Sequence, residues 1–271
     1  GERGTADMEN IMLPELHKIL SVLKETKAEY TFRVEYHGET RHGQFFQLSI
    51  PKVGEAPISV SGKGEGYVEF TIRKVGRLTQ GVFGLQSGDT LFMRGPYGKP
   101  FPVEQFKGKD LVVICGGTGM APVKTMLNHF CDHPEEINSL HLIAGFKDMD
   151  CVLFTGELEK FRAQEKFHTV YTLDNSSAPG FEAGMVTAHI PKVPFGEFAD
   201  YNVAIVGPPV MMRFAALECL KNGAAEDKIW VSFERKMSCA LGKCGHCKIN
   251  ETYVCLEGPV FNYSFAKGLF D

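Results

Sequence analysis

The sequence predicts a multi-domain protein that contains an antiparallel β-barrel, an α/β domain with a parallel sheet, and a small cysteine-rich lobe at the C-terminal end. Short runs of alternating residues, separated by Gly, Pro and charged turns, fill the first third of the chain. From Lys109 the pattern changes to a repeat of strand, glycine turn and helix. Four of the eight cysteines then crowd together near the end. We expect the barrel at 11–106, the α/β domain at 107–232 and the lobe at 233–271.

The composition excludes several classes of function. A net charge of −4 and the lack of any Lys/Arg run leave no surface for nucleic acid, so none is expected as a partner. The longest apolar stretches, Leu111–Cys115 and Val203–Val206, have the length of strands and are far too short to span a bilayer. Because Gly1–Asp7 also lacks the apolar core of a signal peptide, we expect a cytoplasmic protein.

The two larger segments differ in their predicted elements. In the first, the strands are expected at Tyr30–Tyr36, Gln44–Ile50, Tyr67–Lys74 and Thr90–Arg94, with one helix at Leu78–Leu85. In the second, we expect strands at Leu111–Cys115, Leu140–Gly145, Thr169–Leu173 and Asn202–Val206, and helices at Ala121–Cys131, Phe154–Gln164 and Met211–Asn222. Residues 233–271 are expected to be a loop-rich tail.

The cysteine cluster is the strongest local signal. Cys239, Cys244 and Cys247 follow the spacing C-x4-C-x2-C, and Cys255 comes after seven further residues. This spacing is typical of plant-type [2Fe-2S] proteins, in which four thiolates hold the cluster. The glycines of the intervening loop allow it to wrap closely and to aim backbone N–H groups at the sulfur atoms.

Two other metal sites are weighed against the cluster. A structural zinc site usually has two well-separated C-x2-4-C pairs, whereas only one such close pair is present here. A Rieske centre needs two histidines, and the tail has only His246. The remaining cysteines lie in or beside apolar strands and helices and are expected to be core residues: Cys115, Cys131, Cys151 and Cys219.

A glycine turn at the start of the α/β domain indicates a nucleotide site. Leu111–Cys115 runs into Gly116-Gly117-Thr118-Gly119, and Pro122 stands in the first turn of the next helix. Free N–H groups at such a turn suit a pyrophosphate. The turn departs from the G-x-G-x-x-G fingerprint, and a plain strand-to-helix connection is an equal alternative.

A second turn strengthens the nucleotide interpretation. Gly207-Pro208-Pro209 also follows a predicted strand, and ligands of open parallel sheets bind at the carboxyl ends of the strands. Asp174, after another strand, could accept hydrogen bonds from an adenosine ribose and repel a 2′-phosphate, which favours NADH over NADPH. As an alternative, Asp174 and Asn175 form an ordinary turn.

A flavin is predicted from the chemistry of the other two sites. Hydride transfer from NADH moves two electrons, whereas a [2Fe-2S] cluster accepts one at a time. A cofactor must therefore separate the pair, and a flavin is the usual one. The barrel is expected to hold it.

Several short motifs make the chain similar to the ferredoxin–NADP reductase superfamily. They are Ala56-Pro57-Ile58-Ser59, Thr71-Ile72-Arg73, Gly76-Arg77-Leu78-Thr79, Gly95-Pro96-Tyr97-Gly98 and the glycine turn at 116–122. The resemblance implies FAD, with Pro57, Ile58 and Ser59 along the flavin ring and Gly76, Leu78 and Thr79 at the pyrophosphate. Thr71, Ile72 and Arg73 belong to the same implied site.

The sequence departs from the superfamily at two positions. Ala56 stands where an arginine usually pairs with a flavin phosphate, so Arg73 or Arg77 is the candidate for that charge. Gly207 stands where many members carry a cysteine near the nicotinamide. Without the resemblance, residues 56–61 would be interpreted as a strand broken by proline.

Within the superfamily, the chain most resembles the family of B-type subunits of anaerobic sulfite reductase, close to the electron-transfer subunits of dihydroorotate dehydrogenase B and the gamma subunits of sulfhydrogenases. The motifs are Val53–Ser61, Glu234–Met237, Gly242–Cys247 and Gly258–Tyr263. The resemblance implies a subunit that passes electrons from NADH, through a second iron–sulfur subunit, to a siroheme catalytic subunit that reduces sulfite to sulfide. The alternatives are the two neighbouring families and a non-enzymatic, zinc-stabilised binding module. No catalytic base is expected, because hydride transfer is the chemistry of the cofactors.

Overall fold

The first part of the chain folds as a closed barrel of six antiparallel strands. This computed structural model describes residues 13–270; the segment Gly1–Asp7 and the first residues of the predicted barrel domain lie outside this range. The strands, in the order β1-β2-β5-β4-β3-β6, are β1 (Glu15–Lys24), β2 (Glu29–Glu35), β3 (Phe45–Ile50), β4 (Gly54–Gly64), β5 (Tyr67–Arg73) and β6 (Thr90–Tyr97). The four predicted strands are confirmed.

The strand β1 was not predicted from the sequence, and the long β4 was considered only as an alternative, a strand broken by proline over residues 56–61. In β1, most side chains are exposed and the apolar residues do not alternate, so the strand shows no period of two. In β4, Pro57 interrupts the pattern, although it is accommodated opposite Gln47 of β3.

Aromatic side chains fill the barrel. Phe32 and Phe70 are paired across β2 and β5, and Phe46 packs edge-on against Phe70 with ring centroids 5.6 Å apart. A short helix, α1 (Arg77–Phe83), adds Leu78 and Val82 to this core. It corresponds to the helix predicted from Leu78.

The second part is an α/β domain with a seven-stranded sheet, confirming the predicted class. In the order β10-β9-β8-β7-β11-β12-β15, its strands are β7 (Asp110–Gly116), β8 (Ser139–Phe146), β9 (Phe167–Leu173), β10 (Glu182–Ala183), β11 (Tyr201–Val206), β12 (Ile229–Ser232) and β15 (Val260–Asn262). The helices of the barrel-to-sheet connection and of the domain are α2 (Val103–Phe106), α3 (Met120–Asp132), α4 (Thr155–Ala163) and α5 (Pro209–Lys221). The central strand β7 is almost wholly buried, as expected for a parallel strand covered on both faces.

The tail has more regular structure than its sequence predicts. It contains β13 (Lys248–Ile249), β14 (Thr252–Tyr253), α6 (Val254–Glu257), β15 and α7 (Tyr263–Ala266). The strand β15 returns to the α/β sheet and pairs antiparallel with β12. Phe233 and Cys255 share one core with Val203 of the sheet, so the lobe packs as an extension of the α/β domain.

The barrel and the α/β domain meet along α3 and β4. The side chain of Lys124, in α3, is 3% exposed. Its Nζ lies 2.9 Å from the Oε1 of Glu157 in α4 and 3.9 Å from the Oε1 of Glu69 in the barrel. The His42 Nδ1 lies 2.9 Å from Thr125 Oγ1. In the described part of the chain, no helix combines the length and apolar character needed to cross a membrane.

Candidate functional site

A cleft of about 550 Å³ lies where the barrel, the start of α3 and the tail meet. Its lining comes from β4, β5, the turn before α1, the glycine turn that leads into α3 and the segment after β12. The lining residues are Phe45, Ala56, Pro57, Ile58, Ser59, Thr71, Ile72, Arg73, Val75, Thr79, Thr118, Ala121, Pro122, Phe233, Glu234, Arg235, Lys236, Met237 and Pro259. The volume falls within the range of small-molecule and cofactor sites.

One wall of the cleft consists of residues that were predicted from the sequence. Pro57, Ile58 and Ser59 come from β4, and the run Thr71–Arg73 ends the neighbouring strand β5. These two strands are adjacent in the barrel. The antiparallel pairing of these consecutive strands therefore brings the two motifs to one surface, as the predicted flavin site requires.

The turn that precedes α1 is shaped by Thr79. The Thr79 Oγ1 accepts hydrogen bonds from the backbone N–H groups of Val75 and Gly76, both at 2.9 Å. A Cβ at Gly76 would meet nothing within 4 Å, so the backbone there is open on one side. Leu78, by contrast, is buried in the barrel core. Of the three residues predicted at the flavin pyrophosphate, only Thr79 is among those lining the cleft.

Positive charge at the cleft comes from three side chains. Arg73, one of the two predicted candidates, lines the cleft and lies 3.7 Å from Glu29, whereas Arg77 is not among the lining residues. Arg235 and Lys236 add two further cations. Glu234 stands beside them in the lining. This surplus of positive charge suits a phosphate-bearing ligand.

The segment Phe233–Met237 was not predicted as part of a cofactor site. Glu234–Met237 belongs to a family motif, but the segment carries no regular pattern in the sequence. The segment directly follows β12, which ends at Ser232, and it lines the cleft together with residues of β4. The one feature of the sequence that could have indicated a role for this segment is its position just before Cys239, the first predicted cluster ligand.

The two glycine turns of the α/β domain lie side by side. A Cβ at Gly119 would overlap the carbonyl oxygen of Val206 and lie 2.8 Å from the Cα of Gly207. The Met211 Sδ lies over both turns, 2.6 Å from the position that a Cβ would take at Gly116 or at Gly207. Met211 was not predicted as a site residue, yet it occupies the junction between the two predicted nucleotide-binding turns.

Of the residues predicted to bind the nicotinamide nucleotide, only Thr118 lines the cleft. The others do not line it: Gly116, Gly117, Gly119, Asp174, Gly207 and Pro208. Asp174 follows β9, and its N–H donates to the carbonyl of Phe146 at the end of β8. Burial raises the pKa of the Asp174 carboxyl, and nearby Lys147 opposes the rise. The strand ends that carry these residues all face the same edge of the sheet, because β7, β8, β9 and β11 are parallel.

Backbone N–H groups surround the sulfur atoms of the cysteine loop. The Cys239 Sγ accepts from the N–H groups of Leu241 and Lys243 at 3.3 Å and of Cys244 at 3.4 Å. The Gly242 N–H donates to the Cys255 Sγ at 3.2 Å. Donors of this kind stabilise thiolates that bind a metal cluster.

The loop requires glycine at two places. Gly242 and Gly245 have φ values of 69° and 78°, in the left-handed region that favours glycine. A Cβ at Gly242 would also overlap the side chain of Leu256. Glycine at position 242 therefore lets the chain pass close to Leu256 while its N–H reaches Cys255.

The four cysteines belong to two short stretches of the tail, with Cys239, Cys244 and Cys247 in the loop and Cys255 in α6. Within residues 13–270, no three histidine, cysteine or acidic side chains converge on one point. The C-x4-C-x2-C spacing and the backbone N–H groups directed at the sulfur atoms fit a [2Fe-2S] cluster held by four thiolates. Hydrogen bonds from the backbone of Cys239 and His246 lower the pKa of the Cys244 thiol to about 7.

Three of the other cysteines are core residues, as predicted, whereas the prediction is wrong for Cys151, which is only partly buried. Cys115, Cys131 and Cys219 are buried. Burial raises the pKa of Cys115 and of Cys219 to about 12, so both remain protonated thiols at neutral pH.

Two family models match the chain. The oxidoreductase NAD-binding domain matches residues 113–216, and the iron–sulfur cluster binding domain of dihydroorotate dehydrogenase B matches residues 234–265. The first covers both glycine turns, and the second covers all four clustered cysteines. They confirm the predicted nicotinamide-nucleotide and iron–sulfur domains.

Curated relatives align along most of the chain. It is 35% identical to the sulfhydrogenase 1 subunit gamma of Pyrococcus furiosus, over 91% of this chain and 89% of the relative. It is 31% identical to the probable dihydroorotate dehydrogenase B (NAD(+)), electron transfer subunit, of Methanothermobacter thermautotrophicus, over 94% and 91%.

Solved structures share the fold. A chain of the NADH-dependent reduced ferredoxin-NADP oxidoreductase superposes with a TM-score of 0.76 at 23% identity, covering 92% of this chain and 89% of the other. A ferredoxin NADP+ reductase from Neisseria gonorrhoeae gives 0.70 at 20% identity, covering 80% and 97%. The predicted combination of an antiparallel β-barrel and a parallel-sheet α/β domain is thereby confirmed. The chain belongs to the family that contains the gamma subunits of sulfhydrogenases and the electron transfer subunits of dihydroorotate dehydrogenase B.

Proposed function

We propose that the chain is the electron-input subunit of an anaerobic sulfite reductase, oxidising NADH through FAD and a [2Fe-2S] cluster. The observation that carries the electron-transfer part is the short distance along the chain between the two sites. Met237 lines the cleft, and Cys239, the first predicted cluster ligand, is two residues further on. When bound, a flavin accepts two electrons from a nicotinamide and passes them on singly, as a one-electron cluster requires.

In this proposal the chain supplies position and charge. Pro57, Ile58 and Ser59 present a continuous strand surface to the flavin ring. Thr79 shapes the turn for the flavin phosphates, and Arg73 places its positive charge beside them. Side-chain acids and bases are not needed for the transfer itself.

The nicotinamide nucleotide is proposed to bind along the two glycine turns. Gly116, Gly117 and Thr118 offer backbone near the end of β7, and Gly207 and Pro208 follow β11 beside them. Asp174, at the same edge of the sheet, is proposed to favour NADH by repelling the 2′-phosphate of NADPH.

The choice of acceptor rests on the sequence motifs. Glu234–Met237, Gly242–Cys247 and Gly258–Tyr263 resemble the B-type subunits of anaerobic sulfite reductase, which supports a siroheme catalytic subunit and a further iron–sulfur subunit as partners. The identity of 35% to a sulfhydrogenase gamma subunit favours a hydrogenase complex as the second candidate, and a dihydroorotate dehydrogenase complex is the third. Thiolate ligands fit the reducing cytoplasm, which is the proposed location.

The acceptor is identified by isolating the native complex anaerobically. We expect co-purification of a siroheme subunit and formation of sulfide from sulfite with NADH as the electron donor. A hydrogenase subunit or a dihydroorotate-oxidising subunit in its place would reassign the chain to one of the other two families.

The cofactors are tested on the isolated chain. Flavin and iron–sulfur absorption bleached by NADH, with two irons and two acid-labile sulfides per chain as a [2Fe-2S] cluster requires, are expected. A colourless protein with stoichiometric zinc would support the binding-module alternative instead.

A further inference from the structure

We propose that Arg94 is a positioning residue that fixes the cluster loop, and with it Cys239, against the flavin side of the barrel; this inference rests on the proposed function. Arg94 lies in β6, outside the lining of the cleft, and its side chain is 7% exposed. Neither the cysteine spacing nor any motif of the sequence points to it.

The Arg94 guanidinium donates hydrogen bonds to two consecutive backbone carbonyl groups of the tail. Its Nη2 donates to the carbonyl oxygen of Ser238 and its Nη1 to that of Cys239, both at 2.6 Å. The Nη1 also donates to the hydroxyl of Tyr97 at 3.2 Å. Hydrogen bonds from a charged donor are shorter and stronger than those between neutral groups.

Glu55 holds the guanidinium in this orientation. Its two carboxylate oxygens accept from the Arg94 Nε at 3.1 Å and from Nη2 at 2.6 Å. This bidentate pair fixes the plane of the guanidinium and compensates a charge that would otherwise be buried alone. Glu55 precedes Ala56, which lines the cleft, so the ion pair is attached directly to the cleft wall.

Gln47 of β3 adds a contact with the preceding carbonyl group, that of Met237. Its side chain is fully buried, and its Nε2 lies 3.3 Å from the carbonyl oxygen of Met237 and 3.1 Å from that of Ser238. The same atom lies 3.2 Å from a Glu55 oxygen. Side chains of two neighbouring barrel strands, β3 and β6, therefore bind three successive carbonyls, those of residues 237, 238 and 239.

The position of this contact gives it a functional meaning. Met237 lines the cleft, and the Cys239 Sγ receives three of the loop N–H groups. The segment held by Gln47 and Arg94, residues 237–239, thus spans the whole interval between the two sites. If the segment shifts, the Cys239 sulfur shifts with it relative to both the cleft and the N–H donors of the loop.

The test uses anaerobically prepared holoprotein and the variant Arg94→Gln, with Arg94→Lys as the conservative variant. The substitution to Gln removes the charge and the bidentate geometry, whereas Lys keeps the charge alone. Arg33→Gln is the matched control, because Arg33 forms a barrel ion pair with Glu69 at 3.3 Å that does not touch the tail.

Four readouts are compared. For Arg94→Gln we expect a broadened cluster EPR signal, a lower cluster midpoint potential through weaker N–H donation to sulfur, and cluster reduction that lags behind flavin bleaching in stopped-flow traces. In cofactor-free protein, hydrogen exchange at the amides of Leu241, Lys243 and Cys244 should be faster. Arg94→Lys should lie between the wild type and Arg94→Gln, and Arg33→Gln should match the wild type.

The outcomes separate this inference from the proposed function. A wild-type chain without iron or labile sulfide would overturn the proposed function, whereas amide exchange in the cofactor-free chain would still test the contact. A wild-type chain with a cluster and an Arg94→Gln variant identical to it in all four readouts would overturn the inference. If Arg94→Gln does not fold, Gln47→Leu is the second variant, because it leaves the ion pair between Arg94 and Glu55 intact. We expect the same changes in the four readouts, but smaller. Unchanged readouts in Gln47→Leu would also overturn the inference.

Discussion

Gly119 lies so close to Val206 that a Cβ at position 119 would overlap the carbonyl oxygen of Val206 and stand 2.7 Å from its carbonyl carbon. The atoms in the way are backbone atoms, which cannot rotate aside. This contact joins the turn after β7 to the turn after β11. The packing of the two turns by itself requires glycine at position 119, and the predicted contact of this glycine with a pyrophosphate stays a prediction.

Replacing Gly119 with Ala should therefore destabilise the fold. We expect a loss of about 1–3 kcal/mol in the free energy of unfolding, as for other overpacked sites, measured by urea denaturation. Gly156→Ala is the control, because a Cβ there meets nothing within 4 Å. If Gly119→Ala is as stable as the wild type but has a higher KM for NADH, the glycine is needed for contact with the nucleotide and not for the packing of the two turns.

Thr79→Ala should loosen the turn at the flavin cleft. The hydroxyl satisfies the N–H groups of Val75 and Gly76, and loss of such a cap costs about 1 kcal/mol. We expect weaker FAD retention on dilution, followed by flavin fluorescence, with little change in cluster content. Thr79→Ser keeps the hydroxyl and should retain FAD like the wild type; equal loss in both variants would contradict the capping role.

Cys244→Ser should separate the two halves of the electron path. Reduction of the flavin by NADH should remain nearly intact, whereas transfer to a one-electron acceptor subunit should stop, because one of the four ligands is lost. Iron and labile-sulfide analysis with stopped-flow spectroscopy measures both. Cys151→Ser, which changes a cysteine outside the cluster, is the control. Parallel loss of flavin reduction in Cys244→Ser would argue against the proposed order of the cofactors.

Asp174→Ala should reduce the preference for NADH. Removing the carboxylate at the end of β9 removes the repulsion of a 2′-phosphate, so kcat/KM for NADPH should rise relative to that for NADH. The measurement is flavin bleaching with each nucleotide under anaerobic conditions. Asp150→Ala changes an acidic residue in a different surface turn and should leave the ratio unchanged. A constant ratio in Asp174→Ala would place the ribose elsewhere.

The burial of the His42 imidazole should make stability depend on pH. Burial, with Lys63 and His129 nearby, lowers the pKa of His42 from 6.5 to about 3. The unfolded chain therefore binds a proton below pH 6.5 that the folded chain does not, and stability falls as the pH falls toward 3. Between pH 6.5 and 4.5 this group contributes a loss of up to about 2 kcal/mol.

Urea denaturation of the wild type and of His42→Asn at several pH values measures this contribution. The amide of asparagine can replace the hydrogen bond to Thr125 but does not titrate. The variant should therefore lose less stability on acidification than the wild type. Parallel curves for the two proteins would show that His42 titrates alike in the folded and unfolded states.

The barrel illustrates how far the sequence could be used. The strands β2, β3, β5 and β6 were predicted because branched and aromatic residues recur in short runs between glycine turns. The strand β1 was missed because both of its faces carry exposed side chains, and the closure of the barrel by β1 with β6 is a long-range pairing that has no local signal.

The site shows the same division. The predicted residues of β4 and β5 are found together on one wall of the cleft, since short motifs are sufficient to mark them. The opposite wall, Phe233–Met237, was not predicted. The hydrogen bonds from Arg94 to the carbonyl oxygens of Ser238 and Cys239 were not predicted either. These contacts join residues separated by 144 and 145 positions in the chain.

The sequence by itself determined the local chemistry of this protein: four cysteines at cluster spacing, glycine turns after buried strands, and the order of barrel, α/β domain and lobe. These features depend on residues that are neighbours in the chain, so their spacing is visible without a fold. Only the tertiary structure decided that the lobe completes the sheet of the α/β domain, that the tail forms one wall of the cleft, and that a buried arginine binds the backbone leading to the first cluster cysteine. Such contacts arise from packing between distant segments, and no periodicity or motif records which distant segment will be the partner.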